Sequence, residues 1–386
     1  SQMAEAMGIS TFRYKVTIFV LAALFASVAG WLLAHFQRTV NPSAFGLKMG
    51  IEYLFMAVIG GVGHVWGAIV GAGLIRVLED QLQVLLPKLM GTSGSYEVIV
   101  FGIALVVVLK YLPDGLWSMV GRRMPQKPRT VDWQNAAALP ERAKPATGAL
   151  VLDVQKARMQ FGGLVAVNDI SFQIHAGQIV GLIGPNGAGK TTFVSLLSGR
   201  LPADSGTLTF NGADITHLPA HARVARGIAY TFQITSIYAG LTVFDNLALA
   251  VQRSHPKALA QETAKAAARV GLTDYLHTTA GTLSYGHQRL LEIAMGLALH
   301  PKLLILDEPT QGLANSEITA FLGLIRALVP ETTVLLIEHN MEVVMTLATR
   351  ITVLNFGQVL ATGTPAEIRR NRAVQDAYLG AAHADD

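Results

Sequence analysis

The chain has 386 residues, enough for two or three domains, and 51% of them are hydrophobic while only 15% are charged. It contains no cysteine, which excludes a disulfide framework and catalysis by a thiol. The net charge of +4 equals the excess within residues 122–149, which hold 6 basic and 2 acidic side chains. The remainder is near neutral, so no nucleic-acid partner is predicted.

Apolar segments dominate the first third of the chain. Residues 16–36 are an uncharged run of about 21 residues, long enough to cross a bilayer as a helix, and residues 98–112 are also strongly apolar. Between them we predict a short or re-entrant helix over residues 51–59, a glycine-rich turn over residues 60–67 and a return helix over residues 66–86. Because irregular backbone at membrane depth must be covered by protein, this turn should not face lipid.

Small and charged residues mark the return helix and its surroundings. Gly67, Gly71 and Gly73 predict a face that packs closely against another helix. The charged residues in or near these segments are Glu52, Arg76, Glu79 and Asp80. Such residues can line a substrate path, but more often they lie at the interface or pair with one another, and we favour the second interpretation.

Basic residues flank the apolar region on both sides. Arg13 and Lys15 precede the first segment, and a cluster follows the last one: Arg122, Arg123, Lys127 and Arg129. By the positive-inside rule both ends are cytoplasmic, with the cluster against anionic lipid head groups. Four prolines within residues 122–149 favour an extended linker.

A phosphate-binding loop is predicted between an apolar strand, residues 178–183, and a helix that begins near Lys190. Its residues are Gly184, Pro185, Asn186, Gly187, Ala188, Gly189, Lys190, Thr191 and Thr192. The glycines let backbone amides turn toward phosphate oxygens, and the following helix adds its positive end. Lys190 would neutralise the β- and γ-phosphates and Thr191 would bind Mg²⁺. The strand and helix on either side disfavour a chance glycine-rich turn.

A pair of carboxylates follows a second apolar strand. Asp307 comes directly after the aliphatic run 303–306, where a carboxylate is costly unless it serves a metal. Glu308 would point elsewhere and polarise the attacking water. The apolar residues before the pair disfavour the alternative of a solvated loop.

A second anion site is predicted at residues 283–288, ahead of a helix over residues 289–299. The Ser284 hydroxyl, the small Gly286 and a helix N-terminus together suit a phosphate. Taken alone, this motif could equally be a helix cap. Because the chain already has one phosphate loop, the second site indicates a γ-phosphate presented by another subunit.

Together these motifs resemble those of the ATP-binding subunit of ABC transporters. The resemblance covers about residues 150–380 and implies a P-loop NTPase that binds ATP and Mg²⁺. It also implies that two such domains close head-to-tail. Ser284 and Gly286 of each domain would then touch the γ-phosphate that the other domain's Lys190 holds.

The same resemblance assigns roles to three further residues. Phe161 would stack on adenine, and His339 would steady the γ-phosphate and the water. Gln233 would bind the metal and link the nucleotide to membrane movement.

Other details resemble the branched-chain amino-acid branch of these transporters. Among them are the segments 231–233 and 338–341 and the tail 363–380. Residues 1–121 resemble the C-terminal part of the permease, and residues 5–8 resemble the loop by which an importer permease docks on its ATPase. The two subunits would be fused here, with the upstream permease helices missing. A second permease subunit and an extracytoplasmic substrate-binding protein are the partners implied.

Three departures from the family pattern are visible. His287 stands where the signature motif usually has Gln, Ala314 stands where the D-loop usually has Asp or Asn, and Met295-Gly296 replaces the common Arg-Ala. None of them removes a first-rank catalytic group. We therefore expect the chain to hydrolyse ATP. If these departures have an effect, we expect them to alter communication between the paired domains.

The predicted architecture is multidomain: a partial all-α transmembrane permease domain over residues 1–121, a basic Pro-rich linker over residues 122–149, and an α/β ABC ATP-binding domain with a helical subdomain over residues 150–386. The predicted function is an ATP-hydrolysing importer component for branched-chain or related small amino acids, multi-pass in the cell membrane with a cytoplasmic ATPase. The alternatives are a catalytically weak partner in a heterodimer, an importer of urea or amides, and a soluble ABC protein, which the apolar first third opposes.

Overall fold

The computed structural model separates the chain into two compact units. The described residues are 2–38, 46–90, 102–103, 106–107, 110–111, 115–117, 146, 148–232, 235–254, 259–329 and 331–382. One unit combines residues 1–18 with residues 131–386, and the other is residues 19–130. Gln233, most of the predicted segment 98–112 and nearly all of the linker 122–149 lie outside the described residues.

The first third of the chain is helical, as its apolar runs predict. Its helices are α1 (Gln2–Ala6), α2 (Thr11–Gln37), α3 (Leu47–Gly60) and α4 (Val65–Met90). Helix α2 contains the predicted segment 16–36, and within the described part of the chain it is the one helix long and apolar enough to cross a membrane. Helices α3 and α4 confirm the predicted short helix and return helix.

Helices α3 and α4 approach each other at glycines. A Cβ atom on Gly67 would lie 2.7 Å from the backbone oxygen of Gly60, and one on Gly71 would collide with the backbone oxygen of Met56. The predicted small-residue face is therefore confirmed at these two positions. No described atom lies within 4 Å of a Cβ atom built on Gly73, so its place in that face stays a prediction.

One predicted pairing of charges is also present on α4. The Arg76 guanidinium lies 2.8 Å from the Glu79 carboxylate, one turn along the helix. For Arg76 and Glu79 the structure therefore agrees with the favoured interpretation, in which the charged residues pair with one another and do not line a substrate path.

The unit that combines residues 1–18 with residues 131–386 contains all ten strands of the described chain. They are β1 (Leu150–Phe161), β2 (Leu164–His175), β3 (Ile179–Ile183), β4 (Ser205–Phe210), β5 (Ala213–Asp214), β6 (Ile228–Tyr230), β7 (Leu303–Asp307), β8 (Thr333–Ile337), β9 (Arg350–Asn355) and β10 (Gln358–Gly363). Its helices after α1 are α5 (Lys190–Ser198), α6 (Ala220–Arg226), α7 (Val243–Ser254), α8 (Leu259–Arg269), α9 (Tyr285–Ala298), α10 (Asn315–Leu328), α11 (Met341–Leu347), α12 (Pro365–Arg370) and α13 (Arg372–Ala382). Helices α7, α8 and α9 pack together as the predicted helical subdomain.

The strands form two sheets. An antiparallel sheet has the order β2-β1-β4-β5, and a six-stranded sheet has the order β10-β9-β3-β8-β7-β6. In the larger sheet the strands from β9 to β6 run parallel, and β10 is antiparallel to β9. Strands β3, β7 and β8 are buried along their whole length, which explains their continuous runs of apolar residues. Because carboxyl ends of parallel strands share one edge, the loops after these three strands meet there.

Helix α1 packs against the part of its unit formed by residues 131–386. Ala6 and Met7 are 7% and 4% exposed and belong to the main hydrophobic core. A small cavity beside α1 is lined by Glu5 and Ala6 together with Arg200, Tyr230 and Phe232. The start of the chain thus takes the place expected of a docking loop. It groups with residues 131–386, and not with the rest of the predicted domain 1–121, because its apolar side chains are buried there.

Candidate nucleotide-binding site

The loop between β3 and α5 has a backbone that only glycine permits at two points. A Cβ atom on Gly184 would collide with the backbone oxygen of Leu354, and one on Gly189 with that of Ala166. Gly187 has a φ of 78° and an open surrounding. The loop is therefore pressed against its neighbours at both ends and open in the middle, as a cradle for phosphate requires.

Lys190 begins helix α5 and points back over the loop. Its Nζ atom donates hydrogen bonds to the backbone oxygens of Gly184, at 2.6 Å, and of Pro185, at 3.0 Å. Burial lowers the pKa of this ammonium group, while the carboxylates of Glu308 and Asp307 raise it. The positive charge of Lys190 therefore lies close enough to the carboxylates at the end of β7 to attract them.

Asp307 ends β7 as a buried carboxylate with one hydroxyl partner. It is 3% exposed, and the Tyr230 hydroxyl donates a hydrogen bond of 2.7 Å to its Oδ2 atom. Burial raises the pKa of Asp307, and the bond from Tyr230 opposes that rise. Burial and the neighbouring carboxylate also raise the pKa of Tyr230, so its hydroxyl remains a donor. Tyr230 was missed by the sequence reasoning.

Glu308 and His339 meet across two strand ends. The His339 Nε2 atom lies 2.9 Å from Glu308 Oε1. Glu308 has a φ of 48°, a backbone region that non-glycine residues rarely occupy and that clusters at functional sites. The Glu308 backbone N–H bonds to the Ile337 oxygen, which ties the end of β7 to β8.

Glu338 connects the loops after β7 and β8. One carboxylate oxygen accepts hydrogen bonds from the backbone N–H and the hydroxyl of Thr310, at 2.8 Å and 2.7 Å. The other oxygen accepts from the backbone N–H of His339, at 3.2 Å. A buried carboxylate beside a candidate catalytic histidine thus holds both loops in register.

The predicted second anion site is the N-terminus of α9. Ser284 caps the helix, and its Oγ atom accepts a hydrogen bond of 3.3 Å from the His287 backbone N–H. A Cβ atom on Gly286 would collide with the Glu317 carboxylate. Within the described part of the chain, Ser284 bonds to His287 and not to the phosphate loop. Both the cap and the anion interpretation fit this tip.

A buried ion pair inside α9 was also missed. Arg289 and Glu292 are 1% and 3% exposed, and their side chains approach to 2.7 Å. The guanidinium donates to the backbone oxygens of Phe232, Asp307, Glu308 and Pro309. Glu292 accepts a hydrogen bond of 2.8 Å from the Phe232 backbone N–H. The available signal was an opposite pair at i and i+3 inside an otherwise apolar helix.

Arg200 lies between the α1 cavity and Tyr230. Its guanidinium carbon is 4.4 Å from the centroid of the Tyr230 ring, a cation–π geometry. Arg200 and Tyr230 line the same cavity as Glu5, and Tyr230 in turn bonds to Asp307. Nothing in the sequence pattern signalled this connection.

The structure brings four of the predicted residues to one edge of the sheet: Lys190, Asp307, Glu308 and His339. Asn186, Gly187, Ala188, Thr191 and Thr192 lie in the same loop or the turn after it. Phe161 ends β1 and is 47% exposed, so its ring is open to a planar partner. Such an edge, with a glycine loop, a lysine and strand-end carboxylates, defines a nucleotide-hydrolysing P-loop protein.

Family models match the chain along most of its length. The model described as ABC transporter matches residues 167–311. The model described as branched-chain amino acid transport system permease component matches residues 1–109, and the model described as branched-chain amino acid ATP-binding cassette transporter matches residues 358–384.

Curated relatives align with the ATPase unit. The high-affinity branched-chain amino acid transport ATP-binding protein BraF of Pseudomonas aeruginosa is 39% identical over 252 residues, which cover 60% of this chain and 98% of that protein. LivG of Salmonella typhimurium is 39% identical over 251 residues, with the same coverage. The lipopolysaccharide export ATP-binding protein LptB of Escherichia coli is 36% identical over 224 residues, 57% of this chain and 93% of that one.

Solved structures of ATP-binding cassettes also resemble this chain. The ADP conformation of MJ1267, an ATP-binding cassette of an ABC transporter, matches with a TM-score of 0.55 and 26% identity, over 60% of this chain and 99% of that one. The chain belongs to the ABC transporter family and joins a permease portion to an ATP-binding cassette in one polypeptide. It is an ATPase coupled to transport, as the sequence predicted.

Proposed function

We propose that this chain powers the import of branched-chain or related small amino acids. The observation that carries the proposal is the Glu308–His339 pair beside Lys190 and Asp307, on a chain whose first 109 residues match a branched-chain permease model. The names of BraF and LivG support the same substrate class.

The roles of the site residues follow from their positions. Lys190 exchanges its bonds to the loop oxygens for the β- and γ-phosphates of ATP, and the loop amides of residues 184–189 hold the same groups. Glu308 orients and polarises the attacking water, and His339 holds Glu308 and the γ-phosphate in place. Phe161 stacks on the adenine ring.

The residues present fit a magnesium ion. Mg²⁺ in phosphate sites takes one or two carboxylates and keeps phosphate and water as its other ligands. Asp307 supplies the carboxylate and Thr191 the hydroxyl, and we also assign Gln233 to this ion. No group of three or more acidic, histidine or cysteine side chains suited to a metal occurs within the described residues, which agrees with such an open site. When bound, the ion neutralises charge on the transferred phosphoryl group.

ABC importers work with other subunits. For this chain we propose a second ATP-binding subunit paired head-to-tail, a second permease subunit and an extracytoplasmic substrate-binding protein. Ser284 and Gly286 then contact the nucleotide of the paired subunit. We propose domain limits at residues 1–121, 122–149 and 150–386 and a multi-pass permease portion in the inner membrane, with α1 docked on the cytoplasmic ATPase.

The proposal is tested on the whole chain, purified in lipid nanodiscs with its permease and binding-protein partners. ATP hydrolysis and uptake of labelled leucine should both be lost in Glu308→Gln. Arg326→Ala, at an exposed position of α10, is the control and should retain both. Hydrolysis that survives Glu308→Gln would favour a catalytically weak partner, the role that Ala314 and His287 suggest. Uptake of urea in place of leucine would shift the substrate class.

A further inference from the structure

We propose that Phe356 is a second aromatic contact for the base of the bound nucleotide. Phe356 lies in the turn between β9 and β10, and it is 85% exposed. The inference rests on the proposed function, because it takes from there both the nucleotide and the stacking of Phe161 on its base. It adds a residue to that base site, from a different hairpin of the fold.

A comparison of two turns indicates that the backbone does not require Phe356. Strands β9 and β10 pair directly on either side of Phe356 and Gly357, which form a two-residue loop with φ angles of 44° and 74°. Such loops favour Asn-Gly, and a bulky side chain at a positive φ is strained. The loop between β4 and β5 follows that preference, with Asn211 and Gly212 at 48° and 76°. A phenylalanine in the same backbone costs stability, and such strain indicates a function outside the turn.

The β9–β10 turn is fixed against the phosphate loop. The Gly357 backbone N–H donates a hydrogen bond of 3.1 Å to the Ala188 oxygen. A Cβ atom on Gly357 would lie 2.8 Å from the Ala166 oxygen, and one on Gly189 would collide with that same oxygen. The turn and the phosphate loop therefore press on the same point of β2. Phe356 directly precedes the residue that makes these contacts.

Phe161 approaches the same point of β2 from another hairpin. It pairs with Leu164 across the β1–β2 turn, and Ala166 follows two residues after Leu164. Phe161 and Phe356 thus belong to two hairpins that both adjoin Ala166, beside the loop that holds the phosphates. The proposed base site at Phe161 is bordered by this second exposed aromatic ring.

The chemistry of a phenylalanine ring selects the base over the other parts of a nucleotide. Bases are planar and stack on aromatic side chains, whereas phosphates require charge or hydrogen-bond donors. An exposed ring also gains free energy when an apolar surface covers it. With Phe161 on one face of the base, Phe356 contacts another part of it. The second ring therefore increases affinity for the nucleotide without any contact to its phosphates.

The test compares a nucleotide with phosphates alone, using the whole chain in lipid nanodiscs. Phe356→Asn replaces the ring by the residue that the β4–β5 turn already contains. We expect the Kd for ADP to rise about fivefold or more, because one stacking contact is lost. Inorganic tripolyphosphate, measured as a competitor of labelled ADP, should bind within about twofold of its wild-type affinity. The melting temperature should rise, because asparagine relieves the turn.

Two outcomes of this measurement would overturn the inference. An unchanged Kd for ADP would mean that the ring does not contact the base. An equal loss of affinity for ADP and tripolyphosphate would mean that the turn acts through the phosphate loop, by way of Gly357, and not through stacking.

Two further variants control for the ring and for the strain. Phe356→Tyr keeps an aromatic ring and should bind ADP within about twofold of the wild type. Asn211→Phe places the same strain in the β4–β5 turn, so it should lower the melting temperature and leave ADP binding unchanged. If Phe356→Tyr binds ADP as weakly as Phe356→Asn does, stacking is not the cause and the inference fails.

Phe161→Leu separates this inference from the proposed function. If Phe161→Leu weakens ADP binding and Phe356→Asn does not, the base lies where the proposed function has it and Phe356 has no part in binding. If neither variant weakens ADP binding, the proposed base site itself is refuted.

Discussion

Two candidate phosphate-contacting regions of the same chain are built in opposite ways. At the sheet edge, Asp307 and Glu308 are 3% and 9% exposed, and both are bonded to side chains from other strands or loops. At the tip of α9, Ser284 is exposed and its side chain bonds within its own turn. The first region is assembled by the fold of one chain. The second has the chemistry for an anion, and its proposed phosphate belongs to a facing subunit.

The link between the two regions is Arg289, and its removal should have the largest effect. Arg289→Met leaves Glu292 as an unpaired buried carboxylate and removes donors from four backbone oxygens around the sheet edge. Breaking such a pair from one side costs about 3–5 kcal/mol. Thermal unfolding of the whole chain, followed by circular dichroism, measures the loss.

Arg326→Met is the matched control for that experiment. Arg326 is exposed on α10 and donates to the Thr346 backbone oxygen at 3.2 Å, so its loss should change stability by less than about 0.5 kcal/mol. If the two variants unfold alike, the buried pair does not connect the tip of α9 to the sheet edge energetically.

Glu292 should make part of this stability depend on pH. Burial raises its pKa to about 7 from an ordinary value of 4.5, although Arg289 opposes the rise. Between those two values the folded chain binds more protons than the unfolded chain, so its stability falls as pH increases and then levels off. The free energy of unfolding, relative to Glu292→Gln, should drop by about 3 kcal/mol from about pH 4.5 to about pH 7.5.

Denaturant titrations at several pH values measure this difference. Glu331→Gln serves as the control, because Glu331 is 43% exposed in an ion pair with Arg269 and should contribute less than about 1 kcal/mol at any pH. A difference between wild type and Glu292→Gln that stays constant with pH would mean that folding does not change the pKa of Glu292.

Tyr230 tests the sheet edge alone. Tyr230→Phe deletes the hydroxyl that donates to Asp307 and leaves the ring and its contact with Arg200 in place. That bond opposes the rise in the pKa of Asp307, so without it protons compete more strongly with Mg²⁺, and the Mg²⁺ concentration for half-maximal hydrolysis should rise severalfold. Tyr238→Phe is the control, since the backbone of Tyr238 is what bonds to Asn246. Equal magnesium dependence in both variants would remove Tyr230 from the site.

The sequence predicted the residues whose signal is local. The glycines of the phosphate loop, the carboxylates after an apolar strand and His339 after the next one each carry their own pattern, and parallel strands then bring them to one edge. Ser284 was predicted for the same reason, as part of an anion site with a helix cap as the alternative, and the structure shows the cap.

The missed residues depend on partners that sequence patterns do not specify. Arg289 bonds to the Phe232 oxygen, 57 positions away, and Tyr230 bonds to Asp307, 77 positions away. Every residue carries a backbone oxygen, so a sequence motif does not indicate which of these oxygens a distant side chain will bond to. The contact of α1 with the ATPase was predicted through residues 5–8, but the depth at which Ala6 and Met7 are buried there was not.

The smallest effect on stability, with a large effect on function, is expected at the tip of α9. Ser284→Asp keeps an excellent N-cap and adds a charge that the helix dipole favours, so the unfolding free energy should change by less than about 1 kcal/mol. The added carboxylate would repel a γ-phosphate from a facing subunit, so ATP-dependent pairing should be lost. Pairing is measured by light scattering in the Glu308→Gln background, with Ser254→Asp at the end of α7 as the control. A residue that only caps the helix can be aspartate. Normal pairing in Ser284→Asp would therefore mean that Ser284 does no more than cap the N-terminus of α9.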